Sequence, residues 1–423
     1  MMTERRQETQ RPVGLRRLMG LGMLGQLSFV ASQFLLLAGL ARFGQLEDVG
    51  QFGLVSAIIL PIYWFFNLGI RANQATDHRV EYGFACFLAL RIPASLLAYA
   101  IIVGIAFLWL DPLARQVMLG FGAAKGIETL SELCYGAFQR ADRMADVARS
   151  LALRGMGGAA LFWAMLGAGA TPAAGFGALA CLWAVVALGL DLPRAWRLAQ
   201  RDTSAQPRPS LRQVADLARA SLPLGITGAL AALQGATPRY VIAHVLGLAA
   251  LGQFMLVGYA MQAVTTLSNA LGQSIMARLA YYDMRGDRAA FVRVLARVLG
   301  VIALASLGAA LGAALWGDLV LAALFGAGYG ALGDLLALVF GAAGISAAAT
   351  ILQTGLLARR RFSTILRLRA LSVISVVCLA GAGALWLGLA GVVCGIALAA
   401  ALHALMLWRA LQEPRHFTEE IAI

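Results

Sequence analysis

Twelve apolar runs, each long enough to cross a bilayer, take up most of the chain. About 20 residues of helix span the roughly 30 Å hydrocarbon core. Runs of that order fall near 18–41, 52–70, 84–110, 117–138, 152–170, 174–190, 218–243, 251–275, 297–316, 332–357, 370–388 and 390–410. Inside hydrocarbon every backbone N–H and C=O needs an internal partner, so such runs must be helical. Some neighbours are separated only by 171–173 or by Leu389, which leaves room for tight turns and no extramembrane domain. The fold class expected is an all-α polytopic membrane protein with about 12 transmembrane helices. Only 13% of the 423 residues are charged, against about a quarter in a soluble domain, which excludes an ordinary soluble enzyme. Arg5, Arg6, Arg11, Arg16 and Arg17 precede the first run, which is longer than a signal-peptide core and reads as a retained span.

The formal charge of +13 belongs to membrane orientation. With a cytoplasmic N-terminus, 29 of the 34 Lys and Arg fall in inside segments, among them Arg140, Arg143, Arg149 and Arg154. Outside segments hold three, Arg42, Arg115 and Arg239, and two lie within spans, Arg91 and Lys125. This asymmetry follows the positive-inside rule, puts both termini in the cytoplasm and calls for no nucleic acid partner.

The halves echo one another. Gly50-Gln51-Phe52-Gly53-Leu54-Val55 recurs as Gly252-Gln253-Phe254-Met255-Leu256-Val257, and Ala41, Leu46 and Asn67 recur as Ala243, Leu248 and Asn269, all at an offset of 202 residues. Two six-helix lobes related by a parallel repeat follow, with the substrate path expected where the copies face each other. The expected division is 1–190 for the N-terminal lobe, 191–217 for a proline-containing cytoplasmic linker and 218–423 for the C-terminal lobe.

Polar residues inside spans are the candidates for function, because each ionised group near the midplane costs about 2.5–3.5 kcal/mol on insertion scales. Lys125, Glu128, Glu132, Tyr135 and Gln139 share one face of the fourth span. Two readings of this stripe stay open: a local ion pair from Lys125 to Glu128 or Glu132 that locks the helix, or the lining of a wet cavity. Arg91 lies deep in the third span, Arg71 closes the second, and Arg239 follows Pro238, where the proline frees a backbone carbonyl. Arg71, Arg91, Arg239, Lys125 and Gln139 are the candidate substrate-binding residues, since arginine forks match a diphosphate. Glu128 and Glu132 are candidates for binding a coupling proton or Na⁺. Cys86, Cys134, Cys181, Cys378 and Cys394 read as buried inert thiols. His78, His244, His403 and His416 are scattered, so neither a metal nor another cofactor is expected. Gly20-Leu21-Gly22-Met23-Leu24-Gly25 opens a span with no preceding strand and reads as helix packing, and no phosphate-binding loop for ATP is present.

The Gly20–Gly25 run, Gly50-Gln51-Phe52, Ser131-Glu132-Leu133-Cys134-Tyr135-Gly136-Ala137-Phe138-Gln139-Arg140, Pro223-Leu224-Gly225-Ile226, Pro238-Arg239-Tyr240, the stretch from Ala270 to Ala280 and Leu324-Phe325-Gly326-Ala327-Gly328-Tyr329 are similar to bacterial polysaccharide exporters. The chain resembles the O-antigen (Wzx-like) flippases of the multidrug/oligosaccharidyl-lipid/polysaccharide (MOP) exporter superfamily. The resemblance implies two six-helix lobes around a cationic cavity in the bacterial inner membrane. It implies that polyprenyl-diphosphate-linked oligosaccharide is flipped for O-antigen and lipopolysaccharide, capsule or exopolysaccharide assembly, with a polymerase or chain-length regulator as partner. Lipid II flippases of the superfamily have two additional helices that hold the lipid tail, so a lipid II substrate fits less well. Rival readings are a cation-coupled multidrug (MATE-like) exporter, a polyprenyl-dependent membrane glycosyltransferase or polymerase, and a scaffold. The short outer loops weigh against the enzyme, and the cations within spans against the scaffold.

Overall fold

The computed structural model describes residues 15–76, 82–200, 209–326, 331–359 and 361–413, and every regular element among them is helical. Arg5, Arg6, Arg11, His78, Gly328, Tyr329 and His416, and residues 201–208 of the expected linker, lie outside the described residues. The helices are α1 (Leu15–Phe43), α2 (Leu46–Asn67), α3 (Ile70–Thr76), α4 (Phe84–Trp109), α5 (Pro112–Arg140), α6 (Met144–Ala152) and α7 (Gly158–Gly167). They continue with α8 (Pro172–Val186), α9 (Leu192–Gln200), α10 (Leu211–Val245), α11 (Leu248–Met284), α12 (Arg288–Phe325), α13 (Gly333–Ala358) and α14 (Phe362–Gln412). α6 runs into α7 through a π-helical turn, Leu153–Gly157, and α8 into α9 through another, Ala187–Asp191. α14 is two rods joined where Gly388 leaves helical geometry (φ 59°, ψ −137°). Counting α6–α7 and α8–α9 as continuous rods and α14 as two, and setting the short α3 aside, twelve rods stand among the described residues.

Among the described residues eight helices are long and apolar enough to cross a membrane by length and composition alone. The rods outside that set are the polar ones: α5 with its charged stripe, α6–α7 with Asp146, Arg149 and Arg154, and α10, while the two rods of α14 count there as one. The chain is a multi-pass membrane protein whose lipid-facing surface is apolar, as exposed Leu108, Trp109, Leu304, Trp316 and Trp386 show.

Local chemistry sets the breaks. Asp111 caps α5 by accepting from the N–H groups of Leu113 and Ala114, both at 3.0 Å, and Pro112 sits at the first helical position where no N–H is required. Thr171 and Pro172 do the same for α8. The second span, expected over 52–70, instead breaks at Leu68 and Gly69, both left-handed (φ 52° and 58°), and resumes as α3. The repeat offset reappears in the helix ends: α1 stops at Phe43 and α2 starts at Leu46, while α10 stops at Val245 and α11 starts at Leu248.

Packing divides the chain into two compact units, one running to Asp48 and from Val55 to Leu233, the other comprising Val49–Leu54 and Gln234 onward. The boundary lies inside α10, and residues 211–217 of the expected linker are its first turns. Lipid tails are as apolar as leucine, so helices in a membrane associate through close packing and interhelical hydrogen bonds. In the first unit Phe29 and Trp183 meet at 5.9 Å between ring centroids, Phe162 and Phe176 at 4.9 Å, and Phe121 and Phe176 at 5.5 Å. In the second, Leu279, Phe291, Leu295, Ile351 and Leu407 form the core. There Gly383 and Gly391 let the two rods of α14 approach so closely that a Cβ on either would strike the other's carbonyl.

Three expectations need correcting here. Cys181, Cys378 and Cys394 are exposed, and only Cys86 and Cys134 are buried, because apolar surface in a bilayer is content against lipid. Arg154, counted with the cytoplasmic arginines, is fully buried in the π turn between α6 and α7. Asp191, placed at the start of the linker, is 2% exposed.

Candidate functional site

The first unit holds a polar network on the inner faces of its helices, with α5 at its centre. The last carbonyls of α2 have no intrahelical partners because the chain turns left-handed at Leu68. Arg91, two residues before Pro93 on α4, supplies them. Its Nη1 donates to the Phe66 carbonyl (3.4 Å), and its Nη2 donates to the Asn67 carbonyl (3.2 Å) and to Asn67 Oδ1 (2.7 Å). Asn67 Nδ2 in turn donates to Glu132 Oε2 on α5 at 3.0 Å. Arg91 is 1% exposed, so it acts as a positive cap on the negative end of the α2 dipole.

Further along α5, Lys125 Nζ pairs with Glu128 Oε2 at 2.6 Å and lies over the rings of Phe121 and Trp183 at 5.6 and 5.8 Å. Of the two carboxylates within reach of Lys125 in sequence, it is therefore Glu128 that takes the cation, while Glu132 serves Asn67. At the far end of the stripe, Arg71 Nε donates to Gln139 Oε1 at 3.2 Å, and the Arg71 guanidinium sits 5.3 Å from the centre of the Tyr135 ring. Arg71, Lys125, Glu128, Glu132 and Gln139 are all only partly buried. The stripe read from the sequence thus meets a different partner at each turn: α8, then α2, then α3.

Arg154, Ser150 and Asp191 were missed from the sequence. The Arg154 guanidinium lies among three rings, Phe29, Tyr135 and Trp183, at 5.6, 5.4 and 5.3 Å. Its Nη2 donates to the Tyr135 phenol oxygen at 2.6 Å, and its own carbonyl accepts from Trp183 Nε1 at 2.9 Å. The Tyr135 and Ser150 hydroxyls are 2.7 Å apart, and Ser150 donates to Asp191 Oδ2 at 2.7 Å. A signal existed: Arg154 and Asp191 each stand inside apolar sequence, Leu151-Ala152-Leu153 and Gly155-Met156 in one case, Leu190 and Leu192 in the other.

The remaining sequence candidate, Arg239, lies on α10 in the second unit, half-buried and within electrostatic reach of Tyr240 and Tyr259. The same unit buries His403 and places Arg369 near it, with Arg369 Nη2 donating to Gln353 Oε1 at 3.3 Å. Beyond the spans, Arg359 Nε meets Asp283 Oδ1 at 3.1 Å. Burial draws the Arg359 guanidinium below the usual arginine pKa, and Asp283 opposes that shift. Among the described residues no cluster of three or more His, Cys, Asp or Glu could hold a metal ion.

No family model matches the chain. It is 22% identical over 334 residues to the capsular polysaccharide biosynthesis protein CapF of Staphylococcus aureus, covering 76% of this chain and 82% of that one. Among solved structures it superposes on the lipid II flippase MurJ in an inward closed conformation with a TM-score of 0.65 and 13% identity, covering 92% of this chain and 88% of that one. The eukaryotic MATE transporter AtDTX14 gives 0.60 and 14%, over 95% and 96% of the two chains. The Vibrio cholerae MATE transporter VcmN in its bent form gives 0.59 and 14%, over 94% and 95%.

Proposed function

We propose that this chain, which has the fold of the MOP-superfamily transporters, flips a polyprenyl-diphosphate-linked oligosaccharide across the bacterial inner membrane for capsule, O-antigen or exopolysaccharide assembly. The observation that carries the reading is the set of four cations, Arg71, Arg91, Lys125 and Arg154, gathered on the inner faces of one helical unit. Ionisable groups inside spans mark substrate or ion pathways, and here the four cations outnumber the three carboxylates of the same network, Glu128, Glu132 and Asp191. The similarity to a capsular polysaccharide biosynthesis protein supports the same substrate class. Arg71, Lys125 and Gln139, being partly exposed, are the groups that touch the diphosphate, and Arg239, on the second unit, is a separate candidate for binding an anionic group. Arg91 positions the end of α2 and adds positive potential. Glu128 and Glu132 are held by Lys125 and Asn67 and keep the stripe folded. Translocation proceeds by alternating access, with no covalent step.

The test is translocation of an undecaprenyl-diphosphate-linked oligosaccharide in proteoliposomes. An Arg71→Gln/Lys125→Gln/Arg239→Gln variant that folds should lose at least tenfold in rate; an unchanged rate would refute the cationic site. The same fold is carried by MATE transporters, so export of a cationic dye by the wild type, with no movement of the lipid-linked glycan, would favour a multidrug exporter instead.

A further inference from the structure

The geometry points to Asp191 as an exchangeable proton site of this transporter, wired to Arg154 through the hydroxyls of Ser150 and Tyr135. The inference rests on the transporter reading above and moves the coupling group away from Glu128 and Glu132.

The three carboxylates of the network differ in their partners. Glu128 has a lysine at 2.6 Å, and Glu132 accepts from an amide that is itself held by Arg91. Both carry compensation that protonation would forfeit. Asp191 takes its hydrogen bond from a neutral hydroxyl, Ser150, and the buried cation Arg154 is reached through hydrogen bonds only by way of that hydroxyl and one more, Tyr135. A carboxylate 2% exposed and hydrogen-bonded to an alcohol is the one of the three whose charge is most easily surrendered.

The chain of bonds has a direction. A hydroxyl has one proton to give. Ser150 gives its proton to Asp191, so its oxygen accepts from Tyr135, and the Tyr135 oxygen accepts from Arg154. Every donor in the relay points toward Asp191, the arrangement that an ionised carboxylate requires. A proton on Asp191 makes that oxygen a donor. A proton on Oδ2 turns the Ser150 and Tyr135 hydroxyls, one on Oδ1 leaves their bonds in place, and in either case Arg154 loses the negative charge at the end of the relay and keeps only the more distant influence of Glu128. Among the described residues Arg154 Nε and Nη1 have no hydrogen-bond partner, and the phenol is the acceptor that holds the guanidinium. One proton thus changes the fixation of a buried cation that joins α5 to both π-helical turns.

The surroundings favour a proton over Na⁺. Asp191 is packed by α5, α6, α8 and α9. α5 offers Cys134, Tyr135 and the Ser131 hydroxyl, α9 offers Arg194, the π turn offers Arg154, and α8 contributes no charged residue. On α6, Asp146 is engaged by Arg143 at 2.7 Å and Arg149 is exposed. The oxygens that the described neighbours bring to Asp191 are those of the Ser131 and Ser150 hydroxyls, too few for the oxygen shell of a hard metal cation, whereas a proton needs only one carboxylate oxygen.

The test uses the full chain in lipid nanodiscs. Infrared difference spectra between low and high pH should show a protonated-carboxyl band that is lost in Asp191→Asn and kept in Glu128→Gln and Glu132→Gln. A band that survives Asp191→Asn, or no titrating carboxyl band in the wild type, overturns the proposal. In proteoliposomes carrying an undecaprenyl-diphosphate-linked disaccharide as probe, a pH gradient should accelerate wild-type flipping severalfold, Asp191→Asn should be indifferent to the gradient, and Asp191→Glu should regain part of the response. A wild type that shows the Asp191 band but does not move the probe refutes the substrate reading and leaves the proton site supported. Acceleration by a Na⁺ gradient alone refutes the choice of proton.

Discussion

Replacing Tyr135 by phenylalanine isolates the relay from the packing around it. The ring is 1% exposed and its shape is kept, so no cavity opens. Two bonds disappear: the one accepted from Arg154 at 2.6 Å and the one shared with Ser150 at 2.7 Å. A hydrogen bond to a charged group contributes about 1.5–3 kcal/mol, and a neutral interhelical bond in a membrane averages about 0.6 kcal/mol. Tyr135→Phe should therefore destabilise the protein by about 2–3.5 kcal/mol on these values. Ser95→Ala breaks an ordinary hydroxyl pair with Thr129 at 2.7 Å and serves as the reference, with an expected cost near 0.6 kcal/mol. Reversible unfolding of the full chain in mixed micelles, titrated with SDS and followed by tryptophan fluorescence, measures both. A double-mutant cycle of Tyr135→Phe with Ser150→Ala should show coupling, because both act on one chain of bonds. If Tyr135→Phe costs no more than Ser95→Ala, the phenol does not hold Arg154 and the relay has no energetic content.

Arg91→Gln should cost about 2–4 kcal/mol through the uncapped end of α2 and the unpaired Asn67, with faster amide exchange around residues 66–70; Arg91→Lys should rescue little, because a point charge cannot serve three acceptors. Unchanged exchange there would show that the cap is dispensable. Arg359→Ala removes the guanidinium 3.1 Å from Asp283, whose side chain is 9% exposed, and should cost up to about 3 kcal/mol as a broken, largely buried pair, with most of that recovered by adding Asp283→Leu. By contrast Arg143→Ala, at a pair where the arginine is 49% exposed, should stay within about 0.5 kcal/mol, and parity between the two arginines would contradict the burial argument. Gly383→Val should push the rods of α14 apart and lower thermal stability by about 1–3 kcal/mol, while Gly381→Val, with nothing within 4 Å of its Cβ, should leave it unchanged; equal effects would mean the two rods do not rely on close contact.

The sequence by itself determined the class of fold. Hydrocarbon offers the backbone no partners, so runs of about 20 apolar residues can only be helices; their starts were read less well, since α5 and α8 begin at Pro112 and Pro172, ahead of the runs expected from 117 and 174, where Asp111 and Thr171 cap them. The 202-residue echo was legible for the same local reason, and the paired ends of α1–α2 and α10–α11 reproduce it. The stripe on α5 was also visible, since spacing along one helix fixes which residues share a face. What those residues meet was not. Whether Lys125 takes Glu128 or Glu132, that Arg91 serves the end of α2, and that Tyr135 belongs to Arg154 depend on how each helix is rotated about its axis against neighbours distant in sequence. Charge counting assigned Arg154 to a loop because it reads position along the chain and not depth in the bundle. The π-helical turns at 153–157 and 187–191 each shift the register of the rod that follows, and they carry Arg154 and Asp191 inward. Only the packed bundle decides that a residue counted with a run of arginines is the most buried cation among the described residues of its unit, because burial is a property of the surrounding helices and not of the segment itself.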